Sequence, residues 1–112
     1  MGTYRKILLI DLDGVLNTYT GNFDKDFIPK IKIGAKEFLE ELSKEYEIRI
    51  FTTRNMLLTS KWLIENKIDN LVTDVTNVKD PAYLHIDDRC VCFHGDFKNT
   101  VNEIKNFKAY WK

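Results

Sequence analysis

The chain has 112 residues, of which 44% are hydrophobic and 30% charged, and 17 Lys+Arg balance 17 Asp+Glu to a net charge of zero. This suits one soluble domain spanning residues 1–112, and it excludes a chain built throughout as an electrostatic nucleic-acid binder, though not a local basic groove. No apolar run approaches the ~18 residues of a membrane span, so no membrane partner is expected.

Ile7–Ile10 is a short apolar run that meets acids at once. It reads as a strand buried on both faces rather than as a signal peptide. From about 15 to 30 the residues are mixed, with Asn17, Gly21, Asn22 and Pro29 as turn formers, which predicts a structured flap or short hairpin. Ala35, Phe38, Leu39 and Leu42 recur at helical spacing, and Tyr46–Phe51 then reads as a strand. Leu58, Trp62 and Leu63 suggest a second helix that ends near Asn66 and Lys67. Leu71–Val72 and Ala82–Ile86 read as short strands, and Cys90–Phe93 as a further extended piece. Phe97, Val101, Ile104 and Trp111 mark a closing helix. Alternating strand and helix predict an α/β fold, a Rossmann-like three-layer α/β/α sandwich around a central parallel sheet. Cys90 and Cys92 are too few for a disulfide scaffold and suit reduced thiols in a cytoplasmic protein. With His94 they offer three metal ligands, but three from one strand rarely converge.

The acids carry more information by their placement. Asp11, Asp13, Asp87 and Asp88 each follow an apolar strand, and so does Thr52. In an open parallel sheet these positions share the carboxyl edge, where ligands bind. Carboxylates gathered there repel one another unless a cation joins them, and hard oxygen ligands beside a phosphate select Mg²⁺. Asp11-Leu12-Asp13-Gly14 taken alone is also a common turn; as the start of an EF-hand it fails, because Val15 and Asn22 stand where ligands belong.

Taken in order, Asp11-Leu12-Asp13-Gly14-Val15-Leu16, Ile50-Phe51-Thr52, Lys79 and Leu84-His85-Ile86-Asp87-Asp88 resemble the four motifs of the haloacid dehalogenase-like (HAD) phosphohydrolases. Thr52-Thr53-Arg54 and Ile86-Asp87-Asp88-Arg89 are similar to the small capless members, including the phosphatase domain of polynucleotide kinase-phosphatases. The resemblance implies phosphomonoester hydrolysis through an aspartyl-phosphate, with Asp11 as nucleophile and Asp13 as general acid and base. It implies Mg²⁺ held by Asp11, Asp13 through its backbone carbonyl, and an acid of the fourth motif, either Asp88 or Asp87. Asp13 is expected to start neutral in an acid-crowded site. Thr52 and Lys79 would bind and neutralise the phosphoryl group. Thr53, Arg54 and the flap residues Asn17 and Tyr19 are candidate substrate contacts, whereas Arg89 would pair with Asp87.

The intervals from Asp13 to Thr52 and from Thr52 to Lys79 leave no room for a cap domain. An open site is therefore expected, taking a phosphorylated metabolite, a nucleotide or a polymer end. The alternative is a phosphate-binding or receiver-like phosphorelay module without steady turnover. Receivers place the acidic pair early and the phosphorylated Asp mid-chain, whereas here the order is the reverse.

Overall fold

The computed structural model describes residues 5–112; Met1–Tyr4, part of the amino-terminal stretch considered above, lie outside them. Ile7–Asp11 forms β1, whose three central residues are all buried. Strand β2 (Glu47–Phe51) pairs with it along its whole length. The short strands β3 (Asp74–Thr76) and β4 (Leu84–Ile86) complete a four-stranded parallel sheet of order β3-β2-β1-β4. Helices α1 (Ala35–Ser43), α2 (Met56–Glu65) and α3 (Phe97–Lys105) flank it, giving an α/β architecture consistent with a Rossmann-like α/β/α fold. The chain runs outward from β1 to β3, then returns to place β4 on the other side of β1. The strand order thus reverses between β1 and β4, the position at which such sheets open a ligand crevice.

Pleating sends Leu8, Ile10, Ile48 and Ile50 to one face, where they pack with Ala35 and Leu39 of α1 and with Trp62 and Leu63 of α2. Asn55 caps α2 by accepting from the Leu58 amide at 3.0 Å. The opposite face sets Leu9, Arg49 and His85 in register. There Arg49 pairs with Glu47 at 2.8 Å and with Asp80 at 3.2 Å, tying the loop after β3 back to the sheet. Tyr83 stacks on Tyr46 with centroids 6.4 Å apart. This polar cover explains why the β2 segment, EIRIF, alternates instead of being apolar throughout.

Four sequence-based expectations need correction. The Leu71–Val72 strand is not formed: a 3-10 turn covers Asp69–Leu71, and the strand is Asp74–Thr76. The reason is Ile68, fully buried, which anchors the chain before that turn. The Ala82–Ile86 strand is confined to Leu84–Ile86, as Pro81 and Tyr83 belong to the covering loop. Cys90–Phe93 is not extended sheet but loop, with both thiols free and exposed. Trp111 lies beyond α3, which ends at Lys105 and buries none of its residues.

The flap closes on itself through an antiparallel bridge between Asn17 and Ile31. Leu16 and Ile28 sink into the core and fix both its limbs, while 20–27 stay exposed. No helix of the described residues is long and apolar enough to cross a membrane.

Leu39 is wholly buried where α1 meets the sheet. Leu39→Ala is expected to cost roughly 2–5 kcal/mol by denaturant unfolding, from lost transfer free energy and the cavity left behind.

Candidate functional site

β1 ends at Asp11, and the chain turns at once. Leu12 is fully buried and serves as the anchor of the turn, whose first bonds run from the Val15 and Leu16 amides to the Leu12 carbonyl. Gly14 follows with φ +81°, a conformation that a side chain disfavours. A β-carbon there would also overlap the Asp88 carboxylate. The loop after β4 therefore sits directly against the turn after β1, and only glycine permits it.

This approach brings Asp11, Asp87 and Asp88 together, each offering one oxygen within 4.8 Å of the others. Burial pushes the Asp11 pKa up to about 8, helped by the Asp87 charge, by a hydrogen bond with Asp88 and by the charges of Asp88 and Asp13. The donor set is all hard carboxylate oxygen, and its crowding is what a divalent cation relieves. Two adjoining clefts open here and share Asp11, Phe51 and Asp87. One, of about 340 Å³, adds Asp13, Thr52, Thr53 and Arg89. The other, of about 210 Å³, adds Lys79, His85 and Cys90. Partial desolvation, then the Asp87 charge, pushes the Cys90 thiol pKa up as well.

Asp13 lies apart from the triad. Its carboxylate accepts from Arg54 Nε at 2.8 and 3.1 Å and from Asn17 Nδ2 at 3.0 Å. The Arg54 side chain is only 1% exposed. Its Nη1 donates to the Asp24 and Phe27 carbonyls of the flap at 2.9 and 3.2 Å. Arg54 is thus not a free substrate contact but the clamp that joins Asp13 to the flap. Asn17 is corrected likewise: it is fully buried, and its Oδ1 accepts from the Gly14 and Tyr19 amides, both at 3.1 Å. Tyr19 packs edge-on to Trp111, with centroids 5.8 Å apart.

The remaining candidates stand as follows. Thr52 is buried at the end of β2 and accepts from the Arg54 amide at 3.1 Å, so it does not cap α2. Thr53 is exposed at the rim. Lys79 lines the smaller cleft with Asp11 and makes no ion pair with Asp87 among the described contacts. Arg89 binds Asp87 only through its backbone, its amide donating to Oδ1 at 2.9 Å. Sequence reasoning missed Trp111, whose indole N–H donates to Asp88 Oδ2, and Tyr110, whose hydroxyl donates to the Gly14 carbonyl at 2.5 Å. Nothing local in the sequence signals a contact between residues so far apart in the chain.

Arg54→Leu leaves Asp13 unpaired and is expected to lower stability by about 3 kcal/mol in chemical denaturation. Asp11 gives a pH signature. Its folded pKa stands above the ordinary carboxylate value of 3.8, so between about 4 and 8 the folded state holds the extra proton. Stability in a chelator must then fall as pH rises through that window. Asp11→Asn should flatten the trend, as read from thermal unfolding across the same range.

Comparison with protein-family profiles gives no match, and comparison with curated proteins gives none. Among solved structures, the chain is similar to a conserved protein from Bacteroides thetaiotaomicron at a TM-score of 0.61 and 20% identity, over 96% of this chain and 95% of that one. At that identity the likeness shows a shared fold.

Proposed function

We propose that this chain is a Mg²⁺-dependent phosphomonoester hydrolase of the capless HAD-like type, working through an aspartyl-phosphate on Asp11. One observation carries the reading: Asp11, Asp87 and Asp88 converge within 4.8 Å at the strand-order reversal, beside Thr52. Bound there by these three carboxylates, Mg²⁺ would supply charge neutralisation for a phosphoryl group and hold Asp11 ionised.

The chain's own residues divide the work. An Asp11 oxygen attacks phosphorus, and the bond from phosphorus to the ester oxygen breaks. Asp13, entering this step protonated, delivers its proton to that leaving oxygen. Water then attacks the aspartyl-phosphate and gives its proton to Asp13, which returns Asp11 and releases phosphate. Arg54 and Asn17 orient Asp13 for both steps. Thr52 lies at the same cleft, where its hydroxyl is suited to a phosphoryl oxygen. Lys79 offers positive charge from the other side of Asp11.

Substrates reach the site without passing a cap domain: the flap is the only insertion between β1 and α1. The reading takes a phosphomonoester of a metabolite, a nucleotide or a polymer end. Magnesium-dependent release of inorganic phosphate from p-nitrophenyl phosphate is expected, abolished by EDTA and restored by Mg²⁺. Asp11→Asn and Asp13→Asn should each lower the rate by several orders of magnitude. Full activity in Asp11→Asn would end this mechanism, and a single phosphorylation without turnover would favour the receiver-like alternative.

A further inference from the structure

We propose that Trp111 is a positioning residue of the cation site: its indole N–H holds Asp88 in the orientation that binds Mg²⁺. The inference rests on the cation reading given above. Asp88 lies on the loop after β4, beyond the hydrogen bonds of the sheet, and the Trp111 indole donates to its Oδ2. A carboxylate on such a loop rotates unless something holds it, and outer-shell donors of this kind commonly set cation affinity.

The segment 109–112 is fastened for the purpose. Ala109 is buried, and the Tyr110 hydroxyl donates to the Gly14 carbonyl while accepting from Lys32 Nζ at 2.6 Å. The Trp111 ring meets Tyr19 edge-on and lies 3.3 Å from where a β-carbon at Gly21 would stand. The indole thus reaches from the flap to the metal-binding loop. Its bond to a candidate ligand also makes Trp111 a reporter of cation binding, distinct from Trp62, whose indole donates to the Pro29 carbonyl in the core.

The test uses the full chain, stripped with EDTA and titrated with Mg²⁺ by calorimetry and by tryptophan emission. Wild type should bind Mg²⁺ with a change in emission. Trp111→Phe keeps an aromatic ring but lacks the donor, and it should bind roughly 10-fold more weakly with no emission response. Tyr46→Phe, whose ring stacks on Tyr83 away from Asp88 and from segment 109–112, should keep wild-type affinity. Wild-type affinity in Trp111→Phe, or equal losses in both variants, would overturn the inference while leaving the cation reading intact. Absence of Mg²⁺ binding by the wild type would overturn both. Should Trp111→Phe fail to fold, substoichiometric Mn²⁺ added to ¹⁵N-indole-labelled wild type decides: one of the two indole N–H signals should broaden selectively, and broadening of neither overturns the proposal.

Discussion

The buried ion pair between Arg54 and Asp13 holds the carboxyl edge of the sheet together. A guanidinium almost wholly removed from water is costly unless its donors are met. Most are met by two pieces of chain, the turn after β1 through Asp13 and the flap through the carbonyls of Asp24 and Phe27, and Arg54 itself, just past the end of β2, joins them to a third. Its planar face lies 4.6 Å from the centre of the Phe23 ring, which covers it with flap. Nη2 alone has no partner, so the arrangement carries an unmet donor as well as its gains. One side chain holds both, and so flap position and Asp13 orientation form one structural unit.

The neighbouring acids show the opposite electrostatics two residues away. Asp13 is paired with a fixed cation of the protein, whereas burial, and after it the neighbouring Asp87 and Asp88, pushes Asp11 up to about 8. Two carboxylates of one turn thus have opposite surroundings, donors around Asp13 and acids around Asp11. The cost falls on the folded state without cation, because the crowding of Asp11 destabilises it as pH rises.

Much of this was legible in the sequence. The apolar run Ile7–Ile10, the helical spacing of Ala35, Leu39 and Leu42, and the acids directly after strands fixed the sheet, its parallel sense and the edge where the acids meet. What escaped was of three kinds. The strand Asp74–Thr76 has one inward apolar residue, Val75, too little pattern to outweigh the Leu71–Val72 pair. Asn17 and Arg54 were recognised as belonging to the site, but their residue types fit a phosphate as well as they fit a carboxylate; only burial separates ligand binder from scaffold. Trp111 was assigned to a helix by spacing, while its role depends on a contact with Asp88 that no local pattern encodes.

Gly14 shows how these constraints combine. Asp11 must leave β1 pointing to the edge, Leu12 must turn into the core, and Asp13 must reach Arg54. The chain then has to reverse within the next residue while the Asp88 carboxylate presses on its backbone, and a positive φ without a β-carbon is the conformation that allows it. The same residue offers its amide to Asn17 and its carbonyl to Tyr110. Flap, the loop after β4 and the 109–112 segment therefore meet at one peptide unit. A methyl group at Gly14 would act on all three at once: it would push Asp88 away from Asp11 and disturb the partners of Asp13, without removing a single carboxylate from the site.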